Sequence, residues 1–258
     1  MTNWAVDLDG VVWLGDQPIA GSVEAVHALL ERGDSVVFVS NNSSLTEGEY
    51  RTKLARLGMP AEPGLVTSAM AAASLVEPGE RVLVCGGPGV TEAATGRGAI
   101  ALANDRDHDD VDVVVVGFHR EFNYERLRRA SAAVCRGARL VATNDDATYP
   151  TTEGPIPGGG AILASVATAA GVQGVVAGKP YPPIVALVHE RYGSEGTMVG
   201  DRPDTDGRFA RALGWEFVLV LSGVTLQAEG ADPAPDLVAA DLATVVGGGA
   251  TAVLAPSR

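Results

Sequence analysis

The sequence predicts an α/β fold in which a parallel sheet is covered by helices on both faces. Short β-branched runs alternate with helical patterns along the chain. Most of these runs, such as Val36-Val37-Phe38-Val39 and Val113-Val114-Val115-Val116, are apolar without alternation, as strands buried on both faces are. With 258 residues and 46% hydrophobic content, the chain can bury one large core or two modest ones.

Strands are predicted over 4–8, 35–39, 81–85, 112–116, 139–143, 174–177, 197–199, 217–221 and 236–239. The helices between them carry start and stop signals. Ser22 is the expected cap of a segment whose Val23, Val26, Leu29 and Leu30 share one face, and Gly33 ends it. Thr46 and Glu49 form a capping box ahead of Tyr50, Leu54 and Leu57, with a stop at Gly58. Asn123 caps a helix carrying Tyr124, Leu127 and Val134. Pro182 or Pro183 suits the first turn of a helix with Ile184, Leu187 and Val188, and Asp206 begins one with Phe209 and Leu213. The glycines at 158–160 and 247–249 read as short loop clusters, and no internal repeat is visible.

Composition removes several function classes. Nineteen basic residues against 32 acidic ones give a net charge of −13, which argues against a nucleic-acid surface. Cys85 and Cys135 form no C-x-x-C pair, so neither a disulfide framework nor a cysteine zinc site is expected; both read as small buried residues in a reducing compartment. There is no basic segment followed by an apolar stretch at the start and no run of 18 apolar residues, so the expectation is a soluble, cytoplasmic protein without membrane contact.

Chemistry concentrates where strands end. In Ala5-Val6-Asp7-Leu8-Asp9 the two carboxylates are expected on one face, followed by Gly10. Taken alone, the pair fits a bound cation, a shared proton or a solvated strand end. Three further segments also follow predicted strands: Ser40-Asn41-Asn42-Ser43-Ser44, Gly178-Lys179-Pro180 and Gly200-Asp201. If their strands are neighbours, the four loops surround one crevice at the carboxyl edge of the sheet. Familiar alternatives fail on spacing. An EF-hand counted from Asp7 would need glycine at position 12, which is Val12. The 174–180 segment is one residue short of a Walker A loop, Glu92 stands where a dinucleotide fingerprint needs glycine, and no G-x-S-x-G occurs.

Together, Asp7-x-Asp9-Gly10-Val11, Ser40-Asn41-Asn42-Ser43-Ser44, Gly178-Lys179-Pro180 and Gly200-Asp201 with Thr205-Asp206 resemble the motifs of haloacid-dehalogenase-type (HAD) phosphatases. The likeness covers most of the chain. Trp13-Leu14-Gly15, Val141-Ala142-Thr143-Asn144 with Gly158-Gly159-Gly160, and Leu221-Ser222-Gly223-Val224 are similar to the subgroup with a large α/β cap, which holds NagD-like, 4-nitrophenyl, phosphoglycolate and pyridoxal-phosphate phosphatases. The resemblance implies a doubly wound, Rossmann-like core from 1–78 and 175–258, with a smaller α/β cap inserted at 79–174.

It also implies roles. Asp7 would be the nucleophile that becomes an aspartyl-phosphate, and Asp9 the acid and then the base. Asp7, Asp201 and the Asp9 backbone carbonyl would bind Mg²⁺, with Asp206 orienting a bound water from behind them. Ser40, the Asn41 backbone N–H and Lys179 would hold the phosphoryl group. Like charges ~4 Å apart repel by ~4 kcal/mol at an effective dielectric of 20, so this acidic site should hold a proton, and Asp9 is where one is useful. Asp204 reads as an ordinary helix N-terminal acid. Pro203 and Gly207 depart from the subgroup's usual leucine and β-branched residue and imply a loop of altered stiffness.

Asn144, Asp145, Asp146 and Tyr149 resemble a substrate-facing cap loop, although the residue types fit a structured hairpin equally well. The reading is a Mg²⁺-dependent hydrolase of a small phosphorylated metabolite, with a mild preference against bisphosphates because of Asp145 and Asp146. The competing readings are a phosphotransferase, mutase or dehalogenase on this scaffold, or a catalytically weak binding or regulatory protein. The resemblance leaves room for a homodimer, since caps in this subgroup often dimerise.

Overall fold

The computed structural model describes residues 1–149, 151 and 153–252. The chain packs into two compact units. The first contains Met1–Ser40, Arg51–Val66 and the chain from Val185 onward; the second contains Asn41–Tyr50 and Thr67–Ile184.

In the first unit the strands lie in the order Thr251–Ala252, Leu237–Ala239, Glu216–Val220, Thr197–Gly200, Asn3–Val6, Ser35–Ser40 and Gly64–Thr67. Asn3–Val6 is parallel to both neighbours, and the marginal Thr251–Ala252 strand runs antiparallel to Leu237–Ala239. From the centre, the chain winds outward through Ser35–Ser40 on one side and through Glu216–Val220 on the other, so the order reverses between Asn3–Val6 and Thr197–Gly200. Val6, Val37, Phe38, Val39, Met198, Val199 and Phe217 are fully buried, and burying each such side chain contributes roughly 2 kcal/mol.

Two helix starts differ from expectation. The first helix, Ser22–Glu31, is entered through Gly21 at φ 76° with no side-chain cap. Ser22 lies inside it and donates from Oγ to the Val12 carbonyl at 3.0 Å, so the hydroxyl serves a neighbouring turn. Asp206 does not open the helix carrying Phe209; a π-turn over Pro203–Gly207 precedes the α-helix Arg208–Leu213. The Thr46–Glu49 capping box is present, with Thr46 N donating to Glu49 at 2.8 Å and Glu49 N to Thr46 Oγ1 at 3.2 Å.

The second unit holds a parallel sheet in the order Val175–Val176, Arg139–Ala142, Val113–Val116, Arg81–Cys85 and Ile100–Ala103. Tyr124–Cys135 and Gly159–Ala170 cover it through Ala130, Ala133, Val134, Ile162 and Val166. Asn123 caps the first of these helices, accepting from Arg126 N at 3.1 Å. The 158–160 glycines are not a free loop, for Gly159 and Gly160 open the second helix. A Cβ at Gly160 would fall 2.2 Å from the Asp145 carbonyl, so the approach of the 144–146 backbone dictates glycine. The Val175–Val176 strand belongs to this sheet, pairing with Val141 and Ala142. Of the four loops expected around one crevice, three therefore follow strands of the first sheet and Gly178-Lys179-Pro180 follows the second. The packing boundary differs from the 79–174 sequence boundary at 41–50, 67–78 and 175–184.

Cys85 is buried, which pushes its thiol up to about 11, whereas Cys135 at the end of its helix is exposed, contrary to expectation. Among the described residues, no helix is long and apolar enough to cross a membrane.

Candidate active site

The Asn3–Val6 strand stops two residues earlier than predicted, and Asp7 follows it directly. Asp7 N donates to the Val199 carbonyl at 2.9 Å, so the parallel register extends one step past the strand. The neighbouring strand ends at Gly200, which places Asp201 beside Asp7 at the carboxyl edge where the sheet order reverses. Asp206 joins them from the π-turn. Asp7, Asp201 and Asp206 are all buried, and each offers a carboxylate oxygen within 4.8 Å of the others.

Glycines make room for this cluster. A Cβ on Gly10 would lie 2.3 Å from Asp201 Oδ2, one on Gly223 would lie 2.0 Å from it, and one on Gly200 would lie 2.3 Å from Asp206 Cβ. Gly10 also needs φ 89°. The Asp201 carboxylate thus sits between two turns, accepting from Val224 N at 2.6 Å, while Ser222 Oγ donates to the Gly10 carbonyl at 2.7 Å and joins them. Asp206 Oδ2 accepts from Arg202 N at 3.1 Å, which fixes its carboxylate from within the π-turn. Gly207 has a packing reason, because a Cβ there would lie 2.8 Å from the Phe217 ring. Asp204 is exposed and pairs with Arg202 at 3.5 Å.

Asp9 stands outside the three-carboxylate group. The chain turns over Leu8 to Trp13, and Trp13 Nε1 donates to Asp9 Oδ1 at 3.0 Å. The Trp13 ring is buried and carries the Lys53 ammonium 4.1 Å from its centroid, a cation–π contact. Lys53 also donates to the Gly15 carbonyl at 2.6 Å. Ser40, buried, closes its strand in the same unit.

In the second unit, Asn41, Asn144, Asp146 and Lys179 form one hydrogen-bonded group. Asn41 Oδ1 accepts from Lys179 N at 2.7 Å, and Asn41 Nδ2 donates to the Lys179 carbonyl and to Asp146 Oδ2, each at 3.1 Å. Asn144 Nδ2 donates to the Asn41 carbonyl at 2.7 Å. Tyr149 stacks on Phe118 with ring centres 5.0 Å apart and accepts from Asn42 Nδ2 at 3.4 Å. Tyr181 donates to Asp145. Lys179 is 2% exposed, so its charge is held inside the protein.

Sequence reasoning assigned no role to Gly10, Ser222, Gly223, Trp13 or Lys53. The first four stand in the quoted motif segments and could have been singled out; nothing local marks Lys53.

Comparison with known proteins shows which family the chain resembles. Residues 4–100 match the family described as haloacid dehalogenase-like hydrolase, and residues 176–245 match a HAD-hydrolase-like family. An acid sugar phosphatase of Staphylococcus saprophyticus is 34% identical over 233 residues, covering 88% of each chain. The crystal structure of a glycerol phosphate phosphatase from Mycobacterium tuberculosis in complex with calcium is 35% identical with TM-score 0.84, covering 95% of this chain and 74% of that one. The same enzyme has been solved in complex with magnesium. A 4-nitrophenylphosphatase from Thermotoga maritima is 31% identical with TM-score 0.86, covering 96% of this chain and 97% of that one. With acidic strand ends, sheet reversal and relatives all in agreement, the chain belongs to the haloacid dehalogenase-like hydrolases.

Proposed function

We propose that this protein is a Mg²⁺-dependent phosphomonoester hydrolase that works through an aspartyl-phosphate on Asp7 and acts on a small phosphorylated metabolite. The observation that carries the reading is the buried group of Asp7, Asp201 and Asp206, whose carboxylate oxygens lie within 4.8 Å of one another. Three such charges repel unless something positive stands among them. Hard oxygen donors in a close, buried set fit Mg²⁺, and the glycines at 10, 200 and 223 leave the carboxylates their space. Asp7 and Asp201 would hold the ion together with the Asp9 carbonyl, and Asp206 would fix a water on it. When bound, the ion supplies positive charge against the phosphate oxygens.

The residues then divide the work. A carboxylate oxygen of Asp7 attacks phosphorus; the P–O ester bond breaks and its electrons leave with the alkoxide. Asp9 gives that alkoxide a proton. The Trp13 indole, donating to Oδ1, holds the Asp9 carboxyl group in place for that transfer. Asp9, now ionised, takes a proton from the water that attacks the phosphorus of the aspartyl-phosphate, releasing inorganic phosphate and restoring Asp7. Ser40, the Asn41 N–H and Lys179 hold the phosphoryl oxygens and offset their charge. Residues 1–78 and 175–258 are assigned to the catalytic core and 79–174 to a cap that reads the leaving group through Asn144, Asp146 and Tyr149. The names of the relatives, which specify sugar, glycerol and nitrophenyl phosphates, support a small monoester.

Purified protein should hydrolyse p-nitrophenyl phosphate in Mg²⁺ and lose activity in EDTA. Asp7→Asn should lower kcat by ~10³-fold or more. Wild-type turnover in that variant would overturn the nucleophile assignment.

A further inference from the structure

Asn41 makes more of its side chain than a phosphate-loop residue needs to. Its Oδ1 accepts from Lys179 N at 2.7 Å and its Nδ2 donates to the Lys179 carbonyl at 3.1 Å, so one amide brackets the Lys179 Cα from both sides. The second Nδ2 hydrogen goes to Asp146 Oδ2 at 3.1 Å. A primary amide has two donors, and both are committed, leaving none for a phosphate oxygen. The approach is built in. A Cβ at Gly178 would fall 2.6 Å from Asn41 Oδ1 and 2.3 Å from the Thr143 carbonyl, so only glycine fits before the lysine. Behind it, the Asn41 carbonyl accepts from Ser68 Oγ at 2.6 Å and from Asn144 Nδ2 at 2.7 Å, and Asn144 Oδ1 in turn accepts from Asp146 N at 3.2 Å.

We propose that the Asn41 side chain is a positioning element that fixes the main chain at Lys179, and so aims its buried ammonium, while tying that setting to the 144–149 loop through Asp146. The inference rests on the phosphatase reading for the meaning of Lys179. The Asn41 backbone N–H stays with the phosphoryl group; the side chain acts through the lysine. Preorganised charge is effective only where it is held, and a displacement of about 1 Å can cost ~10²-fold in rate. The link to Asp146 means that whatever moves the 144–149 loop also moves a bond on which the lysine's setting depends.

The test is kinetic, on p-nitrophenyl phosphate in saturating Mg²⁺, with wild type, Asn41→Ala, Lys179→Ala and the double variant. Asn41→Ala should lower kcat at least ~10-fold with KM changed less than ~3-fold, since the backbone contact to phosphate is retained. In the Lys179→Ala background the same substitution should change kcat by less than ~2-fold, because a residue acting through the lysine has nothing left to act on. Asn41→Asp keeps the size but loses both donors and sets a like charge against Asp146; adding Asp146→Asn should recover at least ~3-fold of the lost kcat. That pair carries the test if Asn41→Ala does not fold. Near-wild-type kcat in Asn41→Ala, a full additive loss in the lysine-free background, or no recovery in the paired exchange would each overturn the proposal. An active wild type with any of these results leaves the phosphatase reading standing, whereas an inactive wild type overturns both.

Discussion

Space for the Asp201 carboxylate is created by two absent side chains. Gly223 lacks the positive φ that makes Gly10 hard to replace, so Gly223→Ala isolates the steric demand from backbone strain. Its new methyl group would fall 2.0 Å from Asp201 Oδ2, and the carboxylate must shift. The Mg²⁺ concentration for half-maximal activity should rise ~10-fold or more, read from a metal titration, with the fold unchanged by circular dichroism. An unchanged titration would mean that Asp201 can relax without losing its place. At this scale the sequence was legible where chemistry is written in residue type. Asp7 and Asp201 stand out in the sequence because carboxylates after strands are conspicuous, and Asp206 through the motif resemblance; the glycines beside them look like any turn glycine until the third dimension brings them against Asp201 and Asp206. Trp13 escaped for a related reason, since an indole beside an apolar run reads as core, and its donor to Asp9 is visible only once the chain turns over Leu8.

Elements were read best where a cap speaks for itself. Asn123 accepts from Arg126 N in an extended conformation ahead of Tyr124–Cys135, and Asn123→Ala should destabilise the protein by ~1 kcal/mol, read from the urea midpoint. A midpoint within error of wild type would show that tertiary packing of Ala130, Ala133 and Val134 alone holds that helix. Other elements were misread for identifiable reasons. The 158–160 glycines look like a breaker by composition, yet Gly159 and Gly160 open a helix, and glycine stands at 158 and 160 because the 145–148 backbone lies too close for a side chain. Gly21 takes the cap expected of Ser22 because the turn there needs φ 76°, leaving the serine hydroxyl free to bond Val12. Two valines at 175–176 carry no information about which of two parallel sheets they join; pairing with Val141 and Ala142 decides it.

On the scale of the whole molecule, a chain of net charge −13 gathers three of its carboxylates into one buried spot. Self-repulsion makes that arrangement costly without a cation, so binding should stabilise the folded state by mass action. With Mg²⁺ at ~100 times its dissociation constant the gain is ~2.7 kcal/mol, which should appear as a rise in Tm of several degrees by calorimetry. NaCl at matched ionic strength should give a smaller shift, and an equal one would mean that Mg²⁺ acts only by screening. The parallel sheets and their helical covers were legible because unalternating apolar runs such as 36–39 and 113–116 are buried on both faces. The division of the chain between its two units was less so, because it depends on pairings between segments far apart in sequence.

The central position of Asn3–Val6 has a further consequence for how the protein is made. One neighbour, Ser35–Ser40, follows this strand closely in the chain, but the neighbour that completes its ladder, Thr197–Gly200, comes far later in sequence. Until then the nascent chain carries an apolar ribbon with one flank unpaired, the kind of edge that invites wrong partners.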